Sequence, residues 1–407
     1  MDSTTSARGG SAAAPVAHSF LGRSAEDGRP IRVTVEGGLV AAIERVSDDP
    51  GGTWISPGWM DIQVNGYAGH DPNATEADAS TTIAMVRALW PEGVSGSCIT
   101  ICTESEAHIL ANLRAVVAAC DADPLVAASV LGIHVEGPHI SPEDGPRGAH
   151  PLRHVRPPDI AEYRRWQEAA GGRIRIITLS PEYEEAVPYI RAIVADGVLA
   201  SIGHTAADSE QIRAAVDAGA RWSTHLANGA HDMVRRHPNY IWDQLAEDRL
   251  SAGFIFDGHH LPPAVMKTVL RAKGVERTVL VSDVVSQAGL PPGRYVGFDG
   301  GEVELFPSGR LELVGTPYLA GSVTALPTCI ANAVRFAGAT PSEAVRMVTA
   351  NPSRLLGLPM SVGRESLRTG VAANLTMYGR SEVSGDVEVV RTVIDGIVVY
   401  EAAGTAG

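Results

Sequence analysis

From residue 58 to residue 357, short apolar runs alternate with stretches whose apolar residues recur every three to four positions. The runs have strand length, and the stretches between them carry the helical period. Helices are expected over Thr81–Leu89, Ser105–Ala119, Pro158–Ala169, Glu184–Ala195, Asp208–Ala218, Pro263–Lys273 and Pro341–Ala350. Alternation over about 300 residues predicts a parallel α/β architecture, and a (β/α)8 TIM-like barrel fits that size. A doubly wound sheet competes, but no Gly-x-Gly-x-x-Gly follows an early strand. No internal repeat is visible.

The two ends read differently. Arg32-Val33-Thr34-Val35 runs into the turn Glu36-Gly37-Gly38, and Leu39 to Ile43 follows. At the other end, Asn374 to Tyr378 and Val389 to Ile394 precede a hairpin signal at Asp395-Gly396 and the run Ile397 to Tyr400. Segments 16–57 and 358–407 therefore predict a small β-sandwich domain formed by both chain termini. Residues 1–15 are small and polar, without a basic start or an apolar core, and read as a disordered tail.

Five apolar runs stop at a residue able to bind metal or move a proton. Gly132-Ile133-His134-Val135-Glu136 ends in Glu136 before Gly137-Pro138. Leu199 to Gly203 leads to His204, and Arg221 to Thr224 leads to His225. Val279 to Ser282 leads to Asp283, and Pro57 to Val64 carries Gln63 and Asn65 at its end. In a barrel the C-terminal strand ends converge on one rim. Catalytic zinc takes three protein ligands and leaves a position for water, and a glutamate with two histidines is one such set. Asp283, beside such a centre, suits a general base that later acts as acid.

Charge and composition narrow the partners. The net charge of −14 disfavours nucleic acid or an acidic membrane surface. No apolar run approaches the ~18 residues of a spanning helix. Cys98, Cys102, Cys120 and Cys329 match no zinc-ribbon spacing and read as small buried residues in a reducing cytoplasm. Lysine occurs only at Lys267 and Lys273, on one helix and at no strand end. Schiff-base chemistry and metal pairs bridged by a carboxylated lysine are thereby disfavoured.

Several motifs resemble those of the amidohydrolase superfamily. They are Ser-Pro-Gly-x-x-Asp-x-Gln-x-Asn-Gly at 56–66, His-x-Glu-Gly-Pro at 134–138, Gly-His-Thr at 203–205 and Thr-His-Leu-x-Asn at 224–228. Within it the chain is similar to the N-acetylglucosamine-6-phosphate deacetylases, adding Asp-Gly-x-His at 257–260, Leu-Ala-Gly-Ser at 319–322 and Asn-Pro-Ser-Arg at 351–354. The likeness spans roughly residues 17–400. It implies one divalent metal ion, zinc, on Glu136, His204 and His225, with Asp283 as catalytic acid/base. It also implies a sugar contact at His150, a phosphate cradle at Asn228 and Gly229, and a further substrate contact at His260.

The first strand departs from the binuclear relatives, which carry His-x-His there. Gln63-Val64-Asn65 offers amides, poor ligands for a transition metal. Gln63 and Asn65 are therefore expected to support the site by hydrogen bonds. The implied reaction removes an acetyl group from an N-acetylated amino sugar, with the metal and His150 stabilising the oxyanion. The segment after His225 also departs, reading Ala227-Asn228-Gly229-Ala230-His231 and Val234-Arg235-Arg236-His237-Pro238. By the resemblance, Arg235 or Arg236 reaches the phosphate at a neighbouring subunit's site, which implies a homodimer. Trp242 reads as a packing residue. Because this segment should read the phosphate, a deacylase of another N-acyl substrate is the competing reading, ahead of a non-catalytic scaffold, a cyclic-amide hydrolase or a nucleobase deaminase.

Overall fold

The computed structural model describes residues 18–297, 300–316, 318–381 and 383–403. The expected tail, residues 1–15, lies outside them. Strands β1 (His18–Ser24), β2 (Pro30–Glu36), β3 (Leu39–Arg45) and β4 (Thr53–Pro57) come first. The barrel strands follow: β5 (Trp59–Val64), β6 (Val94–Cys102), β7 (Val130–Glu136), β8 (Ile174–Leu179), β9 (Leu199–Ile202), β10 (Trp222–Ser223), β11 (Ser251–Phe254) and β12 (Thr278–Leu280). They pair in chain order, all in parallel. The ring closes beyond β12. Val64 bridges Val284, and the Asp283 N–H donates to Gln63 O at 3.1 Å.

Strands β13 (Gly293–Val296), β14 (Glu302–Leu305) and β15 (Leu311–Leu313) form a separate three-stranded sheet that the sequence pattern did not announce. Strands β16 (Leu375–Arg380), β17 (Val387–Ile394) and β18 (Ile397–Glu401) join the N-terminal strands in the order β18-β17-β16-β4-β1-β2-β3. Both chain ends thus share one sheet. Its apolar cluster draws Phe20, Val33 and Ile55 from one end and Leu375, Met377 and Val393 from the other. The Asp395-Gly396 turn takes left-handed backbone at both positions, as a tight hairpin requires.

Short polar side chains set where the helices begin. Asp208 Oδ1 accepts the N–H groups of Glu210 and Gln211, each at 2.9 Å, and Gln211 Oε1 accepts the Asp208 N–H at 2.9 Å. This capping box starts the helix Ser209–Ala218. The helix expected over Pro341–Ala350 stops at Arg346, and a second helix runs Ala350–Leu355. The reason is Pro352, which has no N–H to offer the Val348 carbonyl. The freed carbonyls serve the barrel: Met347 O accepts from Leu280 N–H at 3.1 Å and Val348 O from Met60 N–H at 2.8 Å. An unforeseen helix, Tyr240–Ala246, starts where Asn239 Oδ1 accepts two N–H groups. On it Trp242 is 51% exposed, so it is not the packing residue expected.

The barrel interior holds Ile62, Cys98, Ile176, Trp222, Ile255 and Val279. Trp222 is fully buried, and Gly253 on β11 makes room for it: a Cβ there would stand 2.8 Å from the indole Cζ2. Gly253→Ala is therefore expected to destabilise the fold by about 1–3 kcal/mol through overpacking. A chemical denaturation midpoint checks this, and an unchanged midpoint contradicts it.

Candidate active site

Each barrel strand hands over to its loop at the rim. Glu136 is the last residue of β7, His204 follows β9, His225 follows β10 and Asp283 follows β12. The backbone at these turns is unusual. His204 (φ 50°), His225 (φ 28°) and Asp283 (φ 52°) all adopt left-handed conformations without being glycine. Each such residue costs on the order of 1–3 kcal/mol and persists only where its surroundings over-determine it. They do so here. Ser141 N–H donates to His204 O at 2.9 Å, Leu226 N–H to Gly253 O at 2.9 Å, and Asp283 N–H to Gln63 O.

The strain brings three donors together. Glu136 Oε1 lies 3.2 Å from His204 Nε2 and 2.9 Å from His225 Nε2, and the two nitrogens are 3.0 Å apart. A tetrahedral ion with bonds near 2.0–2.2 Å needs ligand atoms about 3.4 Å apart, close to this spacing. The His204 tautomer suits such an ion. Its Nδ1 faces Pro146 O at 2.9 Å, and a carbonyl only accepts, so Nδ1 holds a proton and Nε2 is the nitrogen left to give an ion its lone pair in place of its bond to Glu136 Oε1. Gly229 (φ 56°) lets the loop approach, since a Cβ there would stand 2.7 Å from His204 Nδ1. Burial alone would raise the Glu136 pKa, yet the two imidazole bonds outweigh it and hold the carboxyl well below its usual range. Burial disfavours charge on His225, but Glu136 prevails and lifts it to about 8.

Across the rim, burial and then the Glu136 charge push Asp283 up to about 7. Asn65 Nδ2 donates to Asp283 Oδ1 at 2.6 Å. Gln63, fully buried, donates from Nε2 to Glu136 Oε1 at 3.1 Å. His150 Nδ1 pairs with Thr103 Oγ1 at 2.8 Å, and burial with the His204 charge lowers its pKa to about 3. His260 Nδ1 meets Asp257 Oδ2 at 2.6 Å, while Asp257 Oδ1 accepts the His259 and His260 N–H groups.

A cavity of about 1010 Å³ opens above these groups, lined by Asn65, Glu136, His150, His204, His225, Asn228, Gly229, His260 and Asp283. Gln63 does not line it and stands behind Glu136. Arg235 and Arg236 do not line it either; both are exposed, and among the described residues only their carbonyls are engaged, by Asn239. The arginines on the cavity wall are Arg147 and Arg310, neither singled out from the sequence. Arg147 precedes the Gly-Ala-His150 signal by one residue, but no strand ends there. Arg310 sits before β15 on the unannounced sheet. Cys102, read as a small buried residue, also lines the cavity.

Residues 54–399 match the amidohydrolase family. The chain is 32% identical over 354 residues to an N-acetylglucosamine-6-phosphate deacetylase of Bacillus subtilis, covering 86% of each chain. It is 33% identical over 347 residues to an N-acetylgalactosamine-6-phosphate deacetylase of Escherichia coli O157:H7, covering 84% of this chain and 89% of that one. A solved N-acetyl-D-glucosamine-6-phosphate deacetylase of Mycobacterium smegmatis superposes with a TM-score of 0.82 at 27% identity, over 94% of this chain and 100% of that one. With a buried Glu–His–His cluster at the mouth of an eight-stranded parallel barrel, the chain belongs to the metal-dependent amidohydrolase family and is a hydrolase acting on an amide bond.

Proposed function

We propose that this chain removes the acetyl group of N-acetylglucosamine 6-phosphate, releasing glucosamine 6-phosphate and acetate, with one zinc ion on Glu136, His204 and His225. The observation that carries the reading is the three-donor cluster facing the buried carboxyl of Asp283, whose pKa is raised toward neutrality. Relatives of that activity match over most of the chain. The E. coli relative favours a second reading, the galacto epimer, because it matches equally well.

An ion held by Glu136, His204 and His225 would supply a water acidified to a pKa of about 7 and a Lewis acid for the acyl oxygen. Asp283 takes the proton of the attacking water and delivers it to the leaving amine nitrogen. The Thr103 hydroxyl donates to Glu136 O at 3.4 Å, so the proton shared with His150 belongs to His150 Nδ1. His150 Nε2 is then an acceptor, suited to a sugar hydroxyl rather than to the oxyanion stabilisation expected. Asn228 Nδ2 is buried with no partner among the described residues, a donor matched to a phosphate oxygen beside the Gly229 amide. The Gln63 and Asn65 amides both point N–H groups toward carboxylates, which opposes a second cation between Glu136 and Asp283.

The reading includes a homodimer in which Arg235 or Arg236 serves the neighbouring site, and a cytoplasmic location. Both arginines are exposed beside Met233, itself 90% exposed. The four cysteines are buried and unpaired, as a reducing compartment keeps them. No helix among the described residues is long and apolar enough to cross a membrane.

Turnover of N-acetylglucosamine 6-phosphate, its galacto epimer and the unphosphorylated sugar decides the substrate. The 6-phosphate gluco sugar is expected to be preferred, and Arg235→Ala with Arg236→Ala to raise its KM at least tenfold. Equal turnover with and without phosphate would refute phosphate reading. Asp283→Asn is expected to lower kcat by about 10²–10⁴, while plasma-emission analysis still finds one metal per chain. Near-native kcat in that variant removes Asp283 from the mechanism.

The pH profile follows from the same carboxyl. Asp283 acts as base only when ionised, so kcat/KM falls as pH drops through its pKa. Burial and Glu136 set that pKa at about 7 without an ion. A dication answering Glu136 lowers it, so the acid limb is expected at or below pH 7. Asn65→Ala removes a bond that favours the ionised form and should move the limb to higher pH. A shift to lower pH contradicts the assignment.

A further inference from the structure

Cys102 ends β6 and stands opposite Glu136 in register. The mechanism above gives it no task. Its Sγ lies 3.3 Å from Asn65 Oδ1, while the other end of the same amide, Nδ2, lies 2.6 Å from Asp283 Oδ1. Asn73 pins the backbone around this pair. Its Oδ1 accepts the Cys102 N–H at 2.8 Å, and its Nδ2 donates to Asn65 O at 3.2 Å and Thr100 O at 3.0 Å. Neither partner of the amide can drift.

An asparagine amide has nearly the same shape either way round, so its orientation is set by what each end meets. While Asp283 is ionised, its charge holds the N–H end. Once Asp283 has taken a proton that hold weakens, and a flipped amide would accept a proton placed on Oδ1. That proton would then point away from the leaving amine. The thiol opposes the flip because its S–H is donated to Asn65 Oδ1 in the observed orientation, whereas a flipped amide would meet the sulfur only as a weak acceptor. Burial, together with the Glu136, Asp283 and Asp71 carboxylates, keeps the thiol protonated and hence a donor.

Resting on the reading of Asp283 as acid and base, we propose that Cys102 is a positioning residue that holds the Asn65 amide N–H toward Asp283, so that Oδ1 remains an acceptor and the transferred proton rides on Oδ2. No bond to the sulfur forms or breaks, and the cysteine does not contact substrate in this role.

The test uses the full-length, zinc-loaded enzyme and a double-mutant cycle. Cys102→Ala is expected to lower kcat by about three- to tenfold, the scale of a neutral hydrogen bond, with KM within about twofold and metal content unchanged. Cys102→Ser, which keeps a donor, should recover most of kcat and covers the case in which the alanine variant folds poorly. In an Asn65→Ala background, Cys102→Ala should cost nothing further. An equal loss in both backgrounds, no loss in the wild-type background, or failure of serine to rescue overturns the proposal. Full activity of Asp283→Asn would instead overturn the reading of Asp283, so the two failures are separable.

Discussion

Glu136 is a carboxylate held 3% exposed at the mouth of the barrel, and the arrangement around it answers that one buried charge. An ion taken out of water needs close partners or it neutralises. No arginine or lysine among the described residues pairs with it. Its partners are two imidazoles and one amide, all meeting the same oxygen within 3.2 Å. Imidazoles are modest partners for a carboxylate but good ligands for a cation. The cluster is thus better suited to hold an ion than to stand as a salt bridge.

Delivering those partners costs the backbone. Two of them, and Asp283 across the rim, sit in left-handed turns that residues with a Cβ avoid. The parallel ladders absorb the cost. The turn at His225 is bracketed by bonds from Thr224 N–H to Ile202 O and from Leu226 N–H to Gly253 O. The turn at Asp283 is held by the Gln63 carbonyl and by Asp61, a fully buried carboxylate that accepts the Ser282 N–H at 3.2 Å. Burial pushes Asp61 up to about 7, so it holds this turn without a cationic partner. The loop over His204 is held by Pro146 O and by Gly229, where a side chain would crowd the imidazole.

Legibility in the sequence follows from which forces are local. Strand ends at Glu136, His204, His225 and Asp283 were readable because an apolar run stopped by a polar residue is a local signal. The two-ended sheet was readable for the same reason, through the Gly37-Gly38 and Asp395-Gly396 turns. What escaped depends on distant partners. Nothing near Arg147 or Arg310 in sequence shows that loops fold them over the rim. Strands β13 to β15 are short and half exposed, so their period is weak. Trp242 looked like core from composition, and only the course of its helix leaves it half exposed. Cys102 has the residue type of a core filler, and its bond to Asn65 spans 37 positions.

Glu136 also governs a residue it does not touch. Apart from burial, its charge is the largest force raising the Asp283 pKa. While that charge is unanswered, burial and Glu136 hold the Asp283 carboxyl above its usual range and favour its protonated form. A cation taking up the Glu136 charge would weaken the push on Asp283 and favour the ionised carboxyl that the proposed mechanism uses. On the proposed mechanism, occupancy of the three-donor cluster would act twice through one residue, on the attacking water and on the carboxyl proposed as its base. A chain with a second carboxylate near Asp283 would lose that coupling. The Gln63 and Asn65 amides, neutral and donating, preserve it.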